Sequence, residues 1–389
     1  MYLEPETMHL FHQIAIPRKV GTEGHTEVNK ILKEKFLRIQ GLQLSTQKFQ
    51  AGNFYMNTVL SVMHPLIALL AILSAAMILF GYYRIGNILS IITCIFALFN
   101  RNIIWFLQFR VRKMGEIHEC ENIIGYIPPK KEVKQNVVFV AHYDSISHEL
   151  NPVLESLGYL AGFLGMLIYG LNLYVISYRA EFIPGYVITP ISLIWGIPLI
   201  ILAFLGLKNR KKNNTKGVLD NGSGIAQMYD LAKKVTKHPL ENTAVYFLCS
   251  DAEEIGDFGA YMFVKENPIG LKRENSHFIV VDSIGAKQDN IILNAFSLPK
   301  VHFAPEVERV MANAMKETDV PIKFQWVPPL LQIATDHVPI VKFKYKAIVV
   351  ACSSFVFHGE SDNWNEFDQP IFESICRFLE IVLRKFDSE

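Results

Sequence analysis

The chain is short of charge. Only 19% of its 389 residues are Asp, Glu, Lys or Arg, where a soluble globular domain carries about 25%. Half of the residues are hydrophobic, and the mean hydropathy is +0.22. Such a deficit points to lipid-buried segments. Neither sign of charge is in excess: 38 Lys and Arg stand against 37 Asp and Glu, which gives no support to a nucleic-acid or polyanion binder. Cysteine is scarce, odd in number and scattered. Cys94, Cys120, Cys249, Cys352 and Cys376 form no CxxC pair, which disfavours both a disulfide scaffold and a cysteine zinc site. Met1–Gln13 lacks a basic stretch leading into an apolar core, so no signal peptide is expected.

Two apolar blocks account for the missing charge. Val59–Phe80 and Ile88–Leu107 flank the turn Gly81-Tyr82-Tyr83-Arg84, with Asn100 and Arg101 interrupting the second run. Leu154–Ser177 and Tyr186–Leu207 flank Tyr178–Gly185. Each run is about 20 residues, the length that crosses a bilayer. Buried core helices are the ordinary alternative, but uncharged runs this long are rare in soluble cores. The expectation is two transmembrane hairpins, four spans in all. Positive residues follow the hairpins: Arg110, Arg112 and Lys113 after the first, then Lys208, Arg210, Lys211, Lys212 and Lys216 after the second. The turns carry only Arg84, and Arg179 against Glu181. Positive residues mark the cytoplasmic side, so both termini and the rest of the chain outside the hairpins are expected there. Unpaired cysteines agree with a reducing compartment.

The remainder, roughly 280 residues, fits one large domain. Val137–Val140, Ala244–Leu248, Phe278–Val281 and Ala347–Val350 are short apolar runs suited to strands buried on both faces. Glu23–Ile39 places Val28, Ile31, Leu32 and Phe36 on one helical stripe, and Ile225–Val235 does the same with Ile225, Met228, Leu231, Ala232 and Val235. A last helix starts at Asp368-Gln369-Pro370, with Ile371, Ile375, Phe378, Leu379 and Val382 on one face. The expected fold is α/β, a mixed, mostly parallel sheet flanked by helices. Its sequence is divided as 1–57, 110–150 and 209–389, with the hairpins inserted at 58–109 and 151–208.

Each apolar run is followed by acidic or imidazole side chains. Val137–Val140 leads to His142-Tyr143-Asp144, Ala244–Leu248 to Glu253-Glu254, Phe278–Val281 to Asp282, and Ala347–Val350 to His358. Asp220 lies in GVLDNGSG, residues 217–224, before a helix. Carboxyl ends of strands border the ligand crevice of open α/β sheets. His142, Asp220, Glu254, Asp282 and His358 are therefore candidate ligands of zinc or a similar divalent ion. Five exceed the needs of one metal, whereas a bridging carboxylate lets five serve two. Glu253 is then the candidate proton acceptor. Asp144, two residues from His142, faces the same side of an extended strand and is the candidate support for the imidazole's other nitrogen. Taken singly, these residues have ordinary readings: a hydrogen-bonded His, a solvated Glu-Glu helix start, an Asp-Asn-Gly turn, an Asp cap. Recurrence of complementary ligand types at four strand ends weighs against them.

The motif order resembles the co-catalytic di-zinc aminopeptidase family, the group of bacterial secreted aminopeptidases, glutamate carboxypeptidases and glutaminyl cyclases. The matching segments are AHYDS at 141–145, GVLDNGSG at 217–224, SDAEEIGDFGA at 250–260, VVDSIGA at 280–286, TDHVPI at 335–340 and FHGESDN at 357–363, with PRKVGTEG at 17–24 as the opening. The resemblance implies that His142, Asp220 and Asp282 hold one zinc and that Asp220, Glu254 and His358 hold the other, with Glu253 as general base and Asp144 as support. The departure is insertion: residues 145–219, most of them the second apolar block, separate Asp144 from the bridging Asp220. That block leaves the chain just after Asp144 and returns just before Asp220. The bilayer is therefore expected close to the cleft, with apolar or membrane-derived peptides as substrates and the lipid bilayer as a partner. The expected activity is a membrane-bound zinc exopeptidase of aminopeptidase type. A glutaminyl cyclase-like transferase and an inactive membrane receptor or scaffold on the same fold are the alternatives.

Overall fold

Four runs of Val, Ile, Leu and Phe become the centre of one sheet. The protein is described here from a computed structural model. It covers residues 2–149, 170, 201, 211–287, 290–296, 301–327, 335–352 and 357–388, with backbone only at 58–65, 67–68, 97–106, 295–296, 301 and 327. Contacts divide the chain into two compact units. One comprises Met1–Ala51, Ile117–Ser147 and Lys212–Glu389; the other comprises Gly52–Glu116 and His148–Lys211.

The first unit holds a nine-stranded sheet among the described residues. Its spatial order is Gln43–Gly52, Ile117–Ile127, Thr243–Ser250, Gln135–His142, Ser276–Asp282, Lys346–Cys352, Asn290–Phe296 and Ile322–Val327, with Val301–His302 added beside Asn290–Phe296. The four central strands, from Thr243–Ser250 to Lys346–Cys352, run parallel to one another. Antiparallel pairing flanks them on both sides. Each central strand contains one of the expected apolar runs. Alternate residues serve opposite faces: Val137, Phe139, Val281 and Val350 join one core, and Val138, Val140, Val280 and Val349 join the other. The first core is covered by the helices Glu23–Leu37, Gly224–Lys237 and Gln369–Ser388. The second is covered by Phe258–Glu266 and His337–Lys342. Burial on both faces is why these runs do not alternate with polar residues.

The helices form where the spacing predicts them. Glu23–Leu37 starts at Thr22, whose side chain accepts from His25 N at 3.4 Å, and it buries Val28, Leu32 and Phe36. Each such side chain contributes about 1.5–3 kcal/mol on burial. Gln369–Ser388 is capped by Asp368, which accepts from Ile371 N at 2.9 Å. Its inner face is Phe372, Ile375, Phe378, Leu379, Val382 and Phe386.

The second unit contains the first expected hairpin as two helices, Leu60–Leu79 and Tyr83–Gln108. Gly81 joins them at φ +84°, a left-handed conformation open to glycine at no steric cost. Ser74 Oγ donates to the Gly86 carbonyl at 2.7 Å and ties the two helices together. Asn100 and Arg101 do not end the second helix, which continues to Gln108. Among the described residues no helix is long and apolar enough to cross a membrane. Membrane crossing by the first hairpin therefore remains an expectation of the sequence. The second expected hairpin lies outside the described residues except at 170 and 201.

Candidate active site

Parallel strands end on the same edge of a sheet, and their register sets how closely the end residues approach. Val140 faces Val280, two positions before His142 and Asp282, and His142 itself faces Ser250. The loop after Ser250 then delivers Glu253 and Glu254, and the turn 217–224 delivers Asp220. The result is a cluster. His142 Nε2 lies 3.1 Å from Asp220 Oδ1, 3.8 Å from Asp282 Oδ1 and 4.0 Å from Glu253 Oε2. His358 Nε2 lies 3.3 Å from Asp220 Oδ2 and 3.2 Å from Glu254 Oε2. Asp220 thus turns one oxygen to each imidazole. Among the described residues three groups have ligand atoms within 4.8 Å of one another: His142, Asp220 and Asp282; Asp220, Glu254 and His358; and His142, Glu253 and Glu254. All five candidate ligands and the candidate base meet in this one place. The His142 side chain is 3% exposed and that of His358 is 38% exposed, so the cluster opens to solvent on the His358 side.

The electrostatics follow from crowding acids around two imidazoles. Burial opposes the charged form of His142, but Glu253, Asp144, Asp220 and Asp282 raise it well above the usual histidine value. His358 is raised by Glu254 and Asp220, again against burial. Burial would push Asp220 up, but the two imidazoles hold it below the usual carboxylate range. Burial pushes Glu253 well above that range, against the pull of His142 and with help from Asp257, Glu254 and Asp282. Burial also pushes Glu254 up, to about 7, against His358 and with Asp220 adding. A surplus of oxygen donors with two nitrogens in a buried pocket is the donor set of a divalent cation such as zinc. Cation binding there would displace the imidazole protons.

Asp144 lies at the other imidazole nitrogen of His142, reached by a backbone path that the strand spacing does not give. The strand Gln135–His142 stops before it, so the two side chains do not share one strand face. His142 Nδ1 lies 3.1 Å from the Asp144 carbonyl oxygen and 3.6 Å from its carboxylate. The carboxylate also accepts Glu253 N on one oxygen and Glu254 N on the other, both at 3.1 Å. One residue therefore orients the imidazole through its backbone and the Glu-Glu pair through its side chain.

Other residues that build the site carry no role in the sequence reading. Arg18, fully buried, donates to the carbonyls of Tyr143 at 2.6 Å, Lys216 at 2.7 Å and Gly217 at 2.8 Å. Gly217 is left-handed at φ +54°, and a Cβ there would come within 2.7 Å of the guanidinium. Asn221 bridges to the neighbouring strand end, donating to Val281 O at 2.8 Å and accepting from Ser283 N at 3.1 Å. Asp251 accepts from Glu121 N at 2.7 Å and pairs with His25 Nε2 at 2.7 Å, which anchors the Glu253-Glu254 loop from behind. Ser250 Oγ donates to the buried Asp336. Arg18, Asp251 and Asp336 lie inside the motif segments and His25 directly follows one, which is the signal that could have found them.

Residues 203–380 match the model of peptidase family M28. No curated protein matches the chain. Solved structures do. A leucine aminopeptidase precursor from Bacteroides thetaiotaomicron is 13% identical, with 97% of this chain and 95% of that one covered and a TM-score of 0.56. A Zn-dependent exopeptidase from Parabacteroides distasonis is 14% identical, with 97% and 96% covered and a TM-score of 0.54. A glutaminyl cyclase from an Acidobacteriales bacterium is 15% identical, with 98% and 94% covered and a TM-score of 0.56. At these identities the likeness concerns the fold. The match to peptidase family M28 over residues 203–380 agrees with the family that the motif order resembles, and the fold is similar to that of the zinc exopeptidase and glutaminyl cyclase structures.

Proposed function

We propose that the protein is a two-zinc exopeptidase that removes residues from the amino terminus of peptides. The observation that supports this best is Asp220, which faces His142 with one carboxylate oxygen and His358 with the other. That is the arrangement a bridging ligand needs. His142, Asp220 and Asp282 would hold one ion, and Asp220, Glu254 and His358 the other. Two bound cations would supply a Lewis acid for the peptide carbonyl and lower the pKa of an attacking water. Glu253 takes that water's proton and passes it to the departing amine. It is not needed as a ligand, its backbone is fixed by Asp144, and burial raises its proton affinity, while nearby cations would favour its ionised, accepting form. Asp144 and Asp257 add further negative charge around the donors. That charge suits a protonated amino terminus better than a terminal carboxylate.

The reading includes the bilayer. It rests on the apolar runs Val59–Phe80 and Ile88–Leu107 of the sequence, each about 20 residues, the length that crosses a bilayer. Leu69, Leu73, Phe80, Ile88 and Ile95 are exposed on the hairpin, an apolar surface of the kind that marks a membrane or partner site. The second block, outside the described residues, is read as an equivalent pair, with the catalytic domain cytoplasmic. Fusing a cytoplasm-active reporter to Glu389 should give signal. Signal only from a reporter active on the opposite side would refute the orientation.

The activity is tested by digesting a peptide library with detergent-solubilised protein and reading products by mass spectrometry. Stepwise loss of amino-terminal residues is expected, stopped by chelator and restored by zinc. Loss of ammonia from amino-terminal glutamine without chain cleavage would instead favour a cyclase, and carboxy-terminal trimming would overturn the direction proposed.

A further inference from the structure

Asp220 and His358 come from separate segments, and something must hold those segments in register for both to meet one ion. One carboxylate spans them. Asp362 is fully buried, and its Oδ1 accepts Leu219 N at 2.7 Å while its Oδ2 accepts Asp220 N at 3.1 Å. The same residue closes the turn that begins at His358: Asp362 N donates to Gly359 O at 3.1 Å, and Asn363 Nδ2 donates to Glu360 O at 2.9 Å. His358 needs such support, because it sits at φ +57°. The left-handed region is disfavoured for a non-glycine residue, and it persists only where surrounding structure imposes it. On the other side of the bridging loop, Arg18 grips the carbonyls of Lys216 and Gly217. The backbone of Val218–Asp220 is therefore held by a carboxylate on its N–H groups and flanked by a guanidinium on the preceding carbonyls. The Arg18 contacts are charge-assisted, the strong kind, and both Asp362 contacts are buried.

We propose that Asp362 is a positioning residue which locks the Asp220 and His358 segments together, so that the two can act on one metal ion. This rests on the two-zinc reading above. Hydrogen-bonding partners behind metal ligands typically govern 10–100-fold in metal affinity. Asp362→Asn keeps the shape but turns an amide NH₂ toward one of the two N–H donors.

The test is thermal unfolding of the full-length chain, metal-free and with added zinc, together with zinc titration against a competing chelator. Zinc that binds the folded state raises Tm in proportion to the logarithm of its affinity. For Asp362→Asn the zinc-induced rise in Tm should be smaller than for wild type, and at least one zinc affinity should fall about 10–100-fold. A purely structural role would lower the metal-free and zinc-loaded Tm together and leave that increment intact. Asp362→Glu retains both acceptor oxygens, displaced by one methylene, and its increment should lie between those of wild type and Asp362→Asn. If Asp362→Asn does not fold, a reduced increment in Asp362→Glu is the supporting result. A wild-type increment in every variant that folds overturns the inference. Wild-type protein that takes up no zinc overturns the two-zinc reading and this inference with it. Wild type with two ions beside an Asp362→Asn variant of equal affinity overturns this inference alone.

Discussion

Asp220→Ala is expected to lose both metal ions and all measurable turnover. The expectation follows from sharing. Asp220 belongs to both three-residue groups that would hold an ion, so its removal leaves two protein ligands at each, below the three that catalytic zinc sites keep. The loss in metal affinity should exceed the 10–100-fold typical of changes behind the ligands. His358→Ala is the control. It touches only the group formed with Asp220 and Glu254, so one ion should remain. Elemental analysis of the two variants after zinc reconstitution separates them. Equal metal loss in both would mean that Asp220 does not bridge.

Glu253→Gln is expected to lower turnover by about 10²–10⁴-fold while metal content stays at the wild-type level. The amide keeps the shape and cannot accept a proton. Nothing in the change disturbs the Glu253 backbone, which stays bonded to Asp144. Glu254→Gln should behave differently. Its carboxylate faces His358 at 3.2 Å and also accepts Ile146 N at 3.1 Å, so metal and activity should fall together. Steady-state kinetics beside metal analysis reads both. The reverse pattern would exchange the roles of the two neighbours.

The strands and their chemistry were legible in the sequence for one physical reason. A parallel strand buried on both faces shows as an unbroken Val, Ile, Leu and Phe run, and the residue after it lies at the sheet edge. His142, Glu254, Asp282 and His358 could be read this way because their strands share a direction. Asp220 was read from its place before an amphipathic helix. What stayed hidden acts on backbone atoms. Arg18 and Asp362 hold carbonyls and N–H groups of other segments, and such partners leave no periodic trace. Asp144 shows the same limit. Two-residue spacing predicts a carboxylate beside the imidazole, and it lies 3.6 Å from His142 Nδ1, but the spacing does not show that it also accepts Glu253 N and Glu254 N. In the first hairpin, Asn100 and Arg101 interrupt the apolar run, yet two polar residues without Gly or Pro do not break a helix, and it continues to Gln108.

The central claim is that one site holds two metal ions through five side chains. The measurement that meets it most directly is a metal count. Full-length protein, solubilised in detergent, is stripped with chelator, reconstituted with zinc, freed of excess and analysed for zinc per chain. Two per chain is the predicted result. One ion, or none, contradicts it.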